Sequence, residues 1–151
     1  MTTKILVIED DPGALRFTAY ALQQEGYQVL TAASGVDGLK MALDETPDLV
    51  ILDVLLPGMD GFEVCHSLRN TPATANLPIL MLSVKRRESD RNMGLAVGAD
   101  QYLSKPIGPA ELVASVGTLL AGKGAAPMER GRQTLEYLGI WSHDEVETDR
   151  E

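Results

Sequence analysis

The sequence is poor in cross-links, aromatic rings and positive charge. It holds one cysteine, Cys65, so no intrachain disulfide can form. That usage suits a reducing compartment. Aromatic residues are 5% of the chain, so the core must be built from Val, Leu, Ile, Ala and Met. Lys and Arg number 13 against 22 Asp and Glu, a formal net charge of −9. A nucleic-acid surface needs a basic patch to displace the counterions of the phosphates. The densest basic run is Lys85-Arg86-Arg87, and Glu88 and Asp90 follow it closely. Direct DNA or RNA binding by this chain is therefore not expected, and membrane-surface binding is disfavoured on the same ground. No apolar run is long: residues 5–8 are cut short by Glu9, too soon for a signal-peptide core or a membrane span. The expected location is the cytoplasm.

A chain of 151 residues with 44% apolar content suits one compact domain. Short apolar runs alternate with longer amphipathic ones. Strands are expected at Lys4–Ile8, Gln28–Ala32, Leu49–Leu52, 77–82 and 101–103. Helices are expected over 12–25, from a Ser34 cap to just before Pro47, over 62–69, up to Val97, and from 109 to about 120. Asp11, Ser34 and Asp60 are good N-caps, and Pro12 sits at a first helical position. Strands apolar on both faces and joined by helices predict a doubly wound α/β fold. It comprises a five-stranded parallel sheet flanked by five helices. Residues 1–121 are expected to form this domain. Residues 122–151 are expected to be a linker followed by a helical and acidic tail that carries Trp141.

In such a sheet, sites form at the carboxyl ends of the strands. The residues there are Glu9, Asp10, Asp53, Ser83 and Lys105. Converging carboxylates raise one another's pKa unless a cation joins them. An all-oxygen pocket without His or Cys suits Mg²⁺. A carboxylate, a divalent cation, a lysine and a hydroxyl make a phosphoryl site, in which Asp53 can attack phosphorus and form an acyl phosphate.

These segments resemble the receiver domains of two-component response regulators, which have a flavodoxin-like fold. The matching stretches are residues 5–11, 48–61, 78–83 and 98–106, and the resemblance spans roughly residues 3–120. It implies Asp53 as phosphoacceptor, fed by a sensor histidine kinase, a phosphotransfer protein or a small phosphodonor. It implies Asp10, Glu9, Asp53 and the Leu55 backbone carbonyl as the Mg²⁺ ligands. Ser83 and Lys105 would bind the phosphoryl group, and Tyr102 would turn inward as Ser83 moves. The face of the fourth helix, fifth strand and fifth helix would then change its dimer or partner contacts. The Lys105–Pro106 bond is a candidate cis peptide. The domain would catalyse only its own phosphorylation and slow dephosphorylation.

Each residue also has an ordinary reading. Asp11 is better read as a helix cap than as a metal ligand, Ser83 could be a cap, Lys105 a surface lysine, and Tyr102 a half-buried strand residue. Cys65, His66 and His143 read as structural or surface residues. Two rival functions differ in kind. A Mg²⁺ phosphohydrolase would place a second Asp two residues after the nucleophile, where Leu55 stands. A receiver-like binding module that is never phosphorylated would not need the full set of acids, hydroxyl and lysine.

Overall fold

A computed structural model describes residues 2–122. The expected tail, Trp141 included, lies outside the described residues apart from Gly122. The elements are β1 (Lys4–Ile8), α1 (Pro12–Gln23), β2 (Gln28–Ala32), α2 (Gly35–Glu45), β3 (Leu49–Leu52) and α3 (Gly61–Arg69). They continue with a 3₁₀ turn (Pro72–Thr74), β4 (Ile79–Ser83), α4 (Glu88–Ala96), β5 (Gln101–Ser104) and α5 (Pro109–Ala121). The five strands form one parallel sheet in the order β2-β1-β3-β4-β5. The predicted fold class is the observed one.

Strand alternation sends neighbouring side chains to opposite faces. Leu6, Ile8, Val50, Leu52, Ile79, Met81 and Tyr102 pack on one face with Ala42 of α2 and Val64, Cys65 and Leu68 of α3. Ile5, Val7, Leu49, Ile51, Leu80 and Leu82 pack on the other with Ala21 and Leu22 of α1 and Leu112 and Val116 of α5. The helix starts follow local chemistry. Ala14 N donates to Asp11 Oδ2 at 2.8 Å, so Asp11 acts as a cap. Asp60 and Glu63 form a reciprocal capping box at the start of α3.

Several boundaries differ from the sequence expectation by a residue, as at Gly61, Ala96 and Ser104; three differences have a clear local cause. The first helix stops at Gln23, because the chain turns through Gly26 at φ 88°. The fourth strand starts at Ile79 and includes Ser83, whose register partner is Ser104. Pro78 has no N–H to give a ladder, although its carbonyl accepts from Val50 N at 2.9 Å. The 3₁₀ turn at Pro72–Thr74 was not anticipated; it is held by Thr74 Oγ1 donating to the Leu68 carbonyl at 2.7 Å.

A close backbone approach fixes the end of β3. A Cβ built on Gly61 would lie 2.2 Å from the Asp53 carbonyl oxygen, so only glycine lets α3 start there. Gly61 N also donates to the Val54 carbonyl at 2.9 Å. The strand order reverses between β1 and β3, and open α/β sheets bind ligands at the carboxyl edge of such a switch point.

Candidate phosphoryl and metal site

Glu9 directly follows β1, and its buried side chain is held by Asp11 N, which donates to Oε2 at 3.2 Å. Asp10 is exposed beside it. Asp53 directly follows β3 and is buried. One carboxylate oxygen from each of Glu9, Asp10 and Asp53 lies within 4.8 Å of the others. Among the described residues, this is the group of acids or His/Cys that could hold a metal ion.

Lys105 follows β5 and reaches across the sheet edge. Its Nζ donates to Asp53 Oδ2 at 3.0 Å and to Glu9 Oε1. The Lys105–Pro106 peptide bond is cis. Burial raises the Glu9 pKa; Lys105 pulls it down and the nearby Asp53 pushes it up again, leaving it above the usual carboxylate value. For Lys105, burial alone would lower the pKa, but Glu9 and Asp53 together outweigh it and hold it above the usual value. Lys105 pairs with two of the three carboxylates, so the group carries a formal charge of −2. An all-oxygen donor set with surplus negative charge fits a hard divalent cation.

Leu55 lies in the segment after β3 with its side chain half exposed, and its N–H donates to Asp53 Oδ1 at 3.0 Å. The two Asp53 oxygens thus have different partners. Leu55 N holds one and Lys105 the other.

Ser83 is fully buried at the end of β4, and its Oγ accepts from Lys85 N at 3.3 Å. Tyr102 is 2% exposed, not half-buried, and its hydroxyl donates to the Lys85 carbonyl at 2.7 Å. Both side chains therefore grip the backbone of Lys85. Burial, then the charge of Asp90, pushes the Tyr102 phenol up to about 12 despite a lowering contact with Ser83. α4 sits tightly on this ring: a Cβ on Gly94 would be 2.7 Å from Tyr102 Cδ2.

The structure also shows groups that sequence reasoning passed over. Asp90 is buried and holds the loop before α4 by accepting from Arg87 N at 3.2 Å and pairing with Lys85 Nζ at 3.6 Å. In sequence it is only one of the acids that follow the basic run 85–87. Arg69 pairs with Asp100 at 2.9 Å and donates to the carbonyls of Gly98, Ala75 and Leu77. The only signal was an arginine closing the apolar stripe of α3. Cys65 is buried, donates weakly to the Val97 carbonyl at 3.5 Å, and burial pushes its thiol up to about 12, which fits a structural role.

Comparison with known proteins gives a consistent picture. The family model described as the response regulator receiver domain matches residues 5–117. The alkaline phosphatase synthesis transcriptional regulatory protein PhoP of Bacillus subtilis is 45% identical over 120 residues, covering 80% of this chain and 49% of PhoP. The DNA-binding dual master transcriptional regulator RpaA of Synechocystis is 41% identical over 149 residues, covering 91% of this chain and 62% of RpaA. The chain spans about half the length of the curated relatives it matches. Among solved structures, a putative response regulator from Chloroflexus aurantiacus superposes with a TM-score of 0.78 at 40% identity, covering 80% of this chain and 99% of its own. Chemotaxis response regulator CheY4 of Vibrio cholerae superposes with a TM-score of 0.75 at 33% identity, covering 79% of this chain and 99% of its own.

Proposed function

The chain belongs to the response regulator receiver domain family, and from that premise we propose that Asp53 is its phosphoacceptor and that the site works with Mg²⁺. It is a receiver domain of two-component signalling rather than a turnover enzyme. The observation that carries the site assignment is the convergence of three carboxylates and Lys105 at one sheet edge.

In the transfer, one Asp53 oxygen attacks the phosphorus of a phosphohistidine or acyl phosphate. The new P–O bond forms as the bond to the donor breaks, and the donor's imidazole or carboxylate leaves with the electron pair. Leu55 N holds the second Asp53 oxygen and fixes the carboxylate plane. Glu9, Asp10, Asp53 and the Leu55 carbonyl would hold Mg²⁺, which when bound supplies positive charge to the phosphoryl oxygens. Lys105 supplies further charge from the side of β5. Ser83 then donates its hydroxyl to the phosphoryl group. That movement trades away its bond to Lys85 N, and Tyr102, bonded to the Lys85 carbonyl, moves with the loop. α4 rests on Tyr102, so the α4–β5–α5 face reports the change to a partner or a second copy.

A phosphohistidine donor must come from a protein seated beside the site. An open apolar hollow of about 420 Å³ adjoins Lys105, lined by Phe17, Val84, Pro106 and Ile107, and suits a helix of a histidine kinase or phosphotransfer protein. The acidic balance of the chain supports a role of this domain without direct nucleic-acid contact. Among the described residues no helix is long and apolar enough to cross a membrane. A cytoplasmic location is proposed from membership of the receiver family.

Intact mass after incubation with acetyl phosphate tests the reading. A gain of one phosphoryl group with Mg²⁺ and none after chelation by EDTA is expected. No gain despite Mg²⁺ binding would favour the unphosphorylated binding module. The lifetime of the phosphoryl group is a separate expectation. Leu55 cannot orient an attacking water, and Lys85 Nζ is turned to Asp90 at 3.6 Å. Self-dephosphorylation should be slow, and Leu55→Asn should speed it by about tenfold through water positioning. An unchanged decay rate in that variant would remove the argument.

A further inference from the structure

With Asp53 as phosphoacceptor for its premise, we propose that Asp90 is a positioning residue for Ser83. Through Lys85 it latches the loop between β4 and α4 in the unphosphorylated setting, and its hold sets how readily the site accepts a phosphoryl group. Three buried side chains grip Lys85 at three different groups. Ser83 Oγ accepts from its N–H at 3.3 Å, the Tyr102 hydroxyl donates to its carbonyl at 2.7 Å, and Asp90 Oδ1 pairs with its Nζ at 3.6 Å. Ser83 and Tyr102 are the side chains that phosphoryl transfer would move. Asp90 stands on neither of their strands; it lies in the first turn of α4.

Asp90 ties the loop to the body of α4. Its Oδ2 accepts from the Arg87 N–H at 3.2 Å and from Arg87 Nε at 3.3 Å, and its Oδ1 accepts from Arg87 Nη2 at 3.4 Å. Gly94 lies one turn further along the same face of α4, where the helix closes on the Tyr102 ring. The helix that rests on Tyr102 thus also carries the acid that holds Lys85. A buried carboxylate needs charged or hydrogen-bonding partners, and both of these cations come from the loop. Their own positions are wetter: the side chain of Lys85 is 34% exposed and that of Arg87 60%. Either cation can turn out to water when the loop moves, but Asp90 cannot follow it. The pair therefore favours the setting in which Lys85 stays beside α4 and Ser83 keeps its bond to Lys85 N. Drawing Ser83 toward a phosphoryl group on Asp53 works against that pair. A partly exposed ion pair shifts such an equilibrium by about two- to fivefold, enough to tune the response without locking it.

Beryllofluoride, a phosphoryl mimic, reads this equilibrium without any bond being made or broken, so the rate of phosphoryl loss does not enter. Its dissociation constant in the presence of Mg²⁺ is measured by fluorine NMR on the full chain, for the wild type, Asp90→Asn, Lys85→Met and the double variant. The Asn oxygen can still accept from the Arg87 N–H, so the start of α4 is kept. Lys85→Met leaves the backbone N–H and carbonyl to Ser83 and Tyr102. The two substitutions change the local charge in opposite senses, so attraction of the anion alone would tighten the first and weaken the second. The expected result is binding about two- to fivefold tighter in each single variant, with the double variant no tighter than the better single one, because both remove the same pair. Tightening in Asp90→Asn with weakening in Lys85→Met overturns the proposal in favour of charge alone. Unchanged or weaker binding in both, with the wild type binding normally, leaves Asp90 a helix cap and overturns it too. Additive tightening in the double variant gives the two residues separate roles and overturns it equally. A wild type that binds no beryllofluoride takes down the phosphoacceptor reading along with the latch, which tells the two failures apart. Circular dichroism checks that each variant is folded, and Lys85→Met, whose charge change opposes the expected effect, suffices alone.

Discussion

Asp53→Asn is expected to take up no phosphoryl group from acetyl phosphate while remaining folded, with a melting temperature at or slightly above that of the wild type. The amide oxygen is a far weaker nucleophile than a carboxylate, so the acyl phosphate cannot form. Folding should survive for reasons visible in the site. The Asn Oδ1 still accepts from Leu55 N, and Lys105 still pairs with Glu9. Removing one negative charge also relieves the pressure that Asp53 exerts on Glu9. Intact mass with Mg²⁺ and a thermal melt are sufficient to check both halves. Phosphoryl uptake by the variant at the wild-type level would move the phosphoacceptor elsewhere.

Arg69→Ala should be the most destabilising of the single changes considered, at about 3–5 kcal/mol, the range for breaking one side of a buried ion pair. Arg69 is 10% exposed and Asp100 17%, so solvent screens the pair little. The guanidinium also satisfies the Gly98, Ala75 and Leu77 carbonyls, which tie the end of α3 to the loops before β4 and β5. Asp100 Oδ2 in turn accepts from Ile79 N at 2.8 Å, at the first residue of β4. Domains of this size have about 5–15 kcal/mol in hand, so the melting temperature should fall on the order of 10–20 °C. Arg69→Lys should recover only part of this, because an ammonium lacks the planar fork that reaches several carbonyls at once. Thermal unfolding of the three proteins gives the order; a melt of Arg69→Ala within two or three degrees of wild type would show the cluster to be energetically idle.

The fold was legible because its signals are local. Short apolar runs mark most of the strands, and the acids after β1 and β3, Ser83 in β4 and Lys105 after β5 mark their carboxyl ends. Asp11, Asp60 and Gly26 mark helix limits through chemistry confined to one turn. Glu9, Asp10, Asp53, Ser83 and Lys105 could be gathered on one edge from topology alone. What stayed hidden is carried by atoms that sequence does not name. The link from Ser83 to Tyr102 runs through the backbone N–H and carbonyl of Lys85, so no side-chain identity encodes it. Arg69 and Asp100 meet across 31 positions, and nothing at either position announces the other. Asp90 looks like a solvated acid in a charged run until the loop folds over it.

The sheet divides the hydrophobic interior into two compartments that share one wall. Tyr102 belongs to the compartment covered by α2 and α3, and Leu112 and Val116 of α5 to the other. Close-packed interiors transmit strain to what they touch. A substitution among the residues packed around Tyr102 is thus felt first by the helices on its side of the wall, and one around Leu112 or Val116 by α1 and α5. One small domain thereby offers two sets of packing positions that sequence change can alter separately.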